Sequence, residues 1–209
     1  MKYMKLLLIV LLFACNANTN SNITTNAGDV QPYQIGEVVN DFKLINVDDN
    51  YVSLAQYEDA KGFIVIFTCN HCPFSVLYED RIIELDKMSK EKGYPVIAIN
   101  PNDIVAYPED GPEPMKVRAK EKGFTFPYLY DETQEVAVAF GALKTPHVFL
   151  LNKEDKGLVL KYTGAIDDST QGDDIEEKYV SMAIDAIQNG KEVKPNATKA
   201  IGCSVKWKK

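Results

Sequence analysis

The chain has 209 residues, enough for one domain of ordinary size with a full core, plus some tail. Its hydrophobic content of 45% is that of a globular protein. The formal charge of −7, which becomes −9 without Lys2 and Lys5, comes with no basic stripe and argues against nucleic acid as a partner.

Lys2 and Lys5 precede the apolar run Leu6 to Ala14. That run is well short of the ~20 apolar residues a membrane helix needs. A charged start followed by a short hydrophobic stretch is instead the export pattern, so residues 1–14 are expected to be a signal peptide. Leu12-Phe13-Ala14-Cys15 resembles the bacterial lipobox, with Phe13 bulkier than the usual residue there. Cys15 is the expected lipid anchor, the alternative being a plain secretory leader with an incidental Cys15. Residues 15–31 are rich in Asn, Thr and Ser and cannot bury enough surface to offset their ordering entropy, so they form a flexible tether. Residues 32–209 then form the folded domain. The expected location is the cell envelope, lipid-anchored in the periplasm or on a bacterial membrane, where a cysteine pair persists as a disulfide.

Within the domain, Phe42 to Val47 and Tyr51 to Leu54 flank the turn-rich Asp48-Asp49-Asn50 and predict a β-hairpin. Gly62 to Phe67 is a continuous apolar run, the pattern of a strand covered on both faces. A helix follows to about Lys92, with Phe74, Leu77, Ile82, Leu85 and Met88 as its apolar stripe and Gly93 as its stop. Tyr94 to Ile99 is the next strand, and this strand–helix–strand unit implies a parallel, right-handed crossover. Pro101 to Pro114 is loop, Met115 to Lys122 a short basic helix, Phe126 to Tyr130 a short strand, and Glu132 to Phe140 a helix ended by Gly141. Thr145 to Leu151 and Leu158 to Thr163 form a second hairpin that opens with Pro146, and the last helix spans about Ile175 to Asn189. The tail carries Cys203 and the only tryptophan, Trp207.

Between the first apolar strand and its helix lies Phe67-Thr68-Cys69-Asn70-His71-Cys72-Pro73. Two thiols three residues apart at a helix start share a face and can close a small disulfide. The unpaired N–H groups and positive dipole end there favour a thiolate. The same spacing serves half of a zinc site, but no second Cys or His pair is present. Dithiol exchange is therefore the expected chemistry, with a metal site or an inert disulfide as alternatives. Pro73 disfavours helical geometry at Cys72, which puts Cys72 near the helix cap.

The order strand, Cys-x-x-Cys, helix, strand, Thr-Pro hairpin and final helix resembles a thioredoxin fold. The closer resemblance is to the peroxiredoxin-like branch of the alkyl hydroperoxide reductase/thiol-specific antioxidant superfamily, carried by Phe67 to Pro73, Glu79-Asp80-Arg81, Ile99 to Asp103, Tyr107 to Asp110, Phe126 to Glu132, Ile166-Asp167-Asp168 and Ile201 to Trp207. It implies an α/β, thioredoxin-like fold, a central mixed β-sheet flanked by helices, here with an extra N-terminal β-hairpin and an inserted loop-helix segment. It also implies a cis bond between Thr145 and Pro146 beside the cysteine pair, where the backbone pairs with a bound peptide. Thr145 and Pro146 are thus the expected substrate-binding residues, and Cys69 the nucleophile resolved by Cys72. His71 resembles the histidine of Cys-Pro-His-Cys oxidants, which helps hold a thiolate; the alternative is a solvated histidine. Thr68 and His147 flank the site. Arg81 is a candidate peroxide-site arginine or else a surface partner for Glu79 or Glu84. The peroxidase signature Pro-x-x-x-Thr-x-x-Cys is missing, so peroxide reduction, as an antioxidant activity, is expected to be secondary.

The expected function is an exported thiol–disulfide oxidoreductase that needs no cofactor and acts on protein or small-molecule disulfides and thiols with a membrane or periplasmic redox partner. A second class is a copper- or other metal-delivery protein on the same fold, with Cys69, Cys72 and His147 as ligands, although the proteins it resembles space their cysteines one residue wider. Cys203 is the odd cysteine of the mature domain. Either the tail folds back to bring it to the active-site pair, or it is a buried structural thiol.

Overall fold

The computed structural model describes residues 31–209; the signal peptide, Cys15 and nearly all of the tether lie outside the described residues. No helix among those described is long and apolar enough to cross a membrane. Ten strands and four α-helices follow in order: β1 (Val38–Val39), β2 (Lys43–Asn46), β3 (Tyr51–Ser53), β4 (Gly62–Phe67), α1 (Pro73–Glu91), β5 (Val96–Asn100), α2 (Pro112–Lys122), β6 (Tyr128–Tyr130), α3 (Glu135–Phe140), β7 (Lys144–Thr145), β8 (His147–Glu154), β9 (Gly157–Gly164), α4 (Tyr179–Gln188) and β10 (Cys203–Ser204).

Eight strands form one mixed sheet in the order β1-β9-β8-β4-β5-β6-β2-β3. The three inner strands β4, β5 and β6 are parallel, as the crossover through α1 requires, and the flanking pairs are antiparallel. Every residue of β4 is buried, and its side chains alternate between two cores. Ile64 and Ile66 pack with Tyr78, Ile82, Leu85 and Val180 of the helices, while Val65 and Phe67 pack with Ile97, Leu129, Phe140 and Phe149 on the other face. This two-sided burial is the physical reason β4 shows an unbroken apolar run. The expected N-terminal hairpin is β2–β3, and the inserted segment is the loop after β5 together with α2.

The stripe expected on α1 is borne out only in part, at Ile82 and Leu85. Leu77 and Met88 are about 40% exposed, whereas Ser75, Tyr78, Glu79, Ile82, Leu85, Asp86 and Ser89 are buried. Four of those seven are polar, and the buried carboxylates have partners: Arg118 takes Glu79 through two nitrogens, and Asp86 accepts from the Val96 N–H and the Thr125 hydroxyl. The last helix is also shorter than expected, because Asp168 accepts from the N–H groups of Glu176 and Glu177 and holds that stretch outside the helix. The tail contributes β10, which pairs antiparallel with β7 as a separate two-stranded ribbon.

Candidate active site

The site sits where β4 ends and α1 begins. Thr68 continues the ladder by donating its N–H to the Ile99 carbonyl, and the chain then turns through Cys69 to His71. Cys72 is the N-cap of α1 with extended backbone (φ −69°, ψ 121°), and Pro73 is the first helical residue, where its missing N–H is no loss. Both sulfurs of the motif are buried: Cys69 is 2% exposed and Cys72 0%.

Thr145 and Pro146 meet them from the other side, joined by a cis peptide bond as expected. The Cys69 sulfur lies 3.3 Å from the Thr145 hydroxyl and 3.8 Å from that of Ser75; the Cys72 sulfur lies 3.2 Å from the Thr145 carbonyl oxygen. The disulfide of the site does not join Cys69 to Cys72. Cys72 is bonded to Cys203, with Cα atoms 6.1 Å apart, and Cys69 is the free thiol. Of the two possibilities for Cys203, the structure has the tail folded back onto the pair.

Between the cysteines, the main-chain N–H groups of Asn70 and His71 both donate to one oxygen of Asp110, at 2.8 and 3.1 Å. The other oxygen accepts from His71 Nδ1 and from the Asn102 amide at 2.9 Å. His71 stacks on Tyr107 with ring centroids 4.7 Å apart. Asp110 is fully buried, and it takes up the main-chain N–H groups of the loop between the cysteines. Burial, first, and the Asp110 charge, second, raise the Cys69 thiol above its ordinary value, against the opposing contacts from Thr145, the Cys72 N–H and Ser75. With Cys72 bonded to Cys203, the free thiol of the site is thus shifted toward its protonated form. Behind it, the fully buried Tyr128 hydroxyl donates to the Asn70 side chain, and burial pushes that phenol well above its usual range.

Two expected site residues stand apart from the sulfurs. Arg81 pairs with neither Glu79 nor Glu84; it donates to Asp167 at 2.8 and 3.0 Å and to the carbonyls of Ser169 and Thr170, with its guanidinium 3.5 Å above the Tyr78 ring. His147 opens β8, where its Nδ1 accepts from the Leu143 N–H and its Nε2 meets the Thr163 hydroxyl at 3.1 Å. Burial lowers its pKa to about 4. With Cys72 bonded to Cys203 and His147 turned to Thr163, the copper set Cys69, Cys72 and His147 is not assembled. The metal-ligand types that do gather are Cys69, His71 and Asp110, within 4.8 Å of one another, and the Asp110 oxygens there are already occupied by four hydrogen bonds.

Residues 35–168 match the model of the AhpC/TSA family. The chain belongs to that family. No curated protein matches it. Among solved structures it is similar to an uncharacterized conserved protein from Geobacillus kaustophilus, at 39% identity and TM-score 0.77 over 84% of this chain and 93% of that one. A hypothetical protein from Sinorhizobium meliloti 1021 is similar at 35% identity and TM-score 0.77, over 85% of this chain and 97% of the other. The peroxidoxin BcpB from Mycobacterium tuberculosis shares the fold at 16% identity and TM-score 0.56, over 74% of this chain and 96% of its own. Family and fold place the protein among thioredoxin-fold redox enzymes.

Asp110, Asn102, Tyr107 and Tyr128 are site residues that sequence reasoning did not single out. The available signal was position: Tyr107 to Asp110 and Phe126 to Glu132 are two of the segments that carry the family resemblance.

Proposed function

We propose that the protein is an exported, lipid-anchored thiol–disulfide oxidoreductase of the cell envelope whose working dithiol is Cys69 and Cys72. The observation that carries this reading is that both sulfurs of the Cys-x-x-Cys lie against Thr145, beside cis-Pro146, with one of them already engaged in a disulfide. Cys69, as thiolate, attacks a substrate disulfide; one substrate sulfur leaves and the other stays bonded to Cys69. Cys72 then attacks the Cys69 sulfur and expels the second substrate thiolate. The three-residue spacing makes that resolving step intramolecular. The direction of net electron flow follows the reduction potentials of the partners.

Peroxide reduction is a secondary activity in this reading. Among the described residues, no guanidinium hydrogen-bonds the Cys69 sulfur, and Arg81 is engaged with Asp167 and two carbonyls. The envelope location rests on the leader, Cys15 and the tether.

The Cys72→Ser protein is expected to accumulate covalent complexes with reducible substrate proteins through Cys69, and Cys69→Ser to abolish both capture and exchange. A Cys72→Ser protein that reduces peroxide at the wild-type rate, alongside a wild type that exchanges no disulfide, would replace this reading with a peroxidase. Intact mass tests the anchor: an unmodified product cut elsewhere in the leader removes it.

A further inference from the structure

The exchange reading leaves Cys203 without a task, yet the chain invests several interactions in placing it. Cys203 faces Thr145 and Ser204 faces Lys144 in antiparallel register, so the tail lies as a strand on the same backbone that borders both sulfurs. Gly202 is required for this approach, since a Cβ there would collide with the Thr145 carbonyl and crowd the Pro146 nitrogen. Beyond Cys203 the tail is clamped. The Lys206 N–H donates to the Asn102 side chain, the Lys206 carbonyl accepts from the Asp103 N–H and from the Gln134 amide, and the Lys208 N–H donates to Gln134. Before it, Thr198 is tied to Tyr162 and to the Ala165 N–H. The two motif sulfurs are sealed from solvent, whereas Cys203 is half-buried.

We propose that Cys203 is a third redox residue, the terminus through which the buried Cys69–Cys72 pair exchanges electrons with an external dithiol. After a substrate disulfide has been reduced, the pair is left as a Cys69–Cys72 disulfide. The Cys203 thiolate attacks the Cys72 sulfur; the Cys72–Cys203 bond forms as Cys69–Cys72 breaks, and the electron pair leaves on Cys69, which takes up a proton. No net oxidation occurs in that step. The result is the arrangement observed, a free Cys69 and a bonded Cys72 and Cys203. An external dithiol then attacks at Cys203, the accessible end, and expels the Cys72 thiolate. Its second thiol attacks the mixed disulfide, releasing the Cys203 thiolate and leaving the external partner oxidised by two electrons. Moving the disulfide outward gives the external donor a docking point distinct from the substrate's.

The inference rests on the exchange reading, and the two are separable by experiment. The full chain is oxidised with one equivalent of a small disulfide, alkylated and peptide-mapped. The expected linkage is Cys72–Cys203 with Cys69 alkylated. In Cys203→Ser, and in Gly202→Val, which displaces the tail while keeping every cysteine, the linkage is expected to move to Cys69–Cys72. Steady-state turnover of a disulfide substrate with dithiothreitol as donor should fall at least about tenfold in both variants. Both share one control: a Cys72→Ser protein that captures substrate through Cys69 upholds the exchange reading whatever Cys203 does. A wild type that links Cys69 to Cys72 and leaves Cys203 alkylated, or a Cys203→Ser protein with turnover within twofold of wild type, overturns the relay alone. Gly202→Val provides the same readout should the serine itself perturb the tail.

Discussion

Two buried carboxylates, Asp110 and Asp167, lie 0% and 2% exposed in the same domain and are used in opposite ways. Asp167 is met by a full cation: Arg81 grips it with one nitrogen while its other contacts close the loop over residues 169–170, and the Tyr78 hydroxyl ties down the same Ser169 carbonyl. Among the described residues Asp110 has no arginine or lysine partner. It is held by two main-chain N–H groups, an amide and the His71 ring, all within the loops that frame Cys69. A carboxylate matched by a guanidinium fixes structure and leaves its surroundings close to neutral. One matched by dipoles keeps its negative charge, and a nearby thiol feels it. The first arrangement is a staple; the second tunes chemistry.

The largest effect is expected where the staple is cut. Arg81→Met leaves Asp167 buried without its cation and frees two loop carbonyls, which should cost about 3 kcal/mol of stability in urea unfolding. Disulfide exchange per folded molecule should stay within about twofold of wild type, because Arg81 touches neither sulfur. Loss of exchange with stability intact would return Arg81 to the active site and break the comparison.

His147 sharpens the contrast, as a half-buried titratable group with, among the described residues, neither a cation nor an anion against it: its neighbours are Leu143, Phe149 and Thr163. Its folded pKa is lowered to about 4 from an ordinary 6.5, through burial. The unfolded chain therefore takes up a proton at this residue below about pH 6.5, whereas the folded one does so only near pH 4. Stability supplied by the neutral imidazole is complete above pH 6.5 and is lost as pH falls through that window. The loss is about 3 kcal/mol at most, from roughly 1.4 kcal/mol per pKa unit. His147→Gln should flatten this part of the pH dependence, as read from urea midpoints at pH 7 and pH 4.5. An unchanged slope would show that the ring is not neutral and buried in solution.

How far this layout was legible in the sequence depended on whether each feature is local. β4 was bounded correctly at Gly62 and Phe67 because two-sided burial writes an uninterrupted apolar run. The cap of α1 at Cys72 followed from Pro73 alone. The polar part of the buried face of α1 was missed because Glu79, Asp86 and Ser89 are buried by virtue of partners from distant parts of the chain, or against backbone within the helix, and hydropathy scores them as surface. Strand β10 has two residues and no alternation to detect, and its partner β7 lies 58 positions earlier at Thr145. The pairing of Cys72 with Cys203 spans 131 residues, and the local Cys-x-x-Cys spacing pointed instead to a bond within the motif. Asp110 sits about 40 residues from the cysteines, in a loop whose only sequence signal was its membership of the family resemblance.

The smallest effect, and the most direct on the comparison, is expected from Asp110→Asn. The amide keeps an oxygen for the N–H groups of Asn70 and His71, so the loop between the cysteines retains its two main-chain anchors. What disappears is the negative charge, the second cause, after burial, of the raised Cys69 thiol, together with the acceptor that His71 Nδ1 and the Asn102 amide share. Removing the charge should move the Cys69 titration to lower pH, read near pH 7 as roughly threefold or more faster alkylation of Cys69. Iodoacetamide modification of the oxidised protein, followed at the Cys69 peptide from pH 6 to pH 10, separates this from a structural effect, because a loosened loop raises the rate at every pH without shifting the midpoint. A shifted midpoint identifies Asp110 as a charge that adds to burial in raising the Cys69 thiol. A midpoint that stays where it is in wild type would make Asp110 a staple like Asp167, built from dipoles instead of a guanidinium.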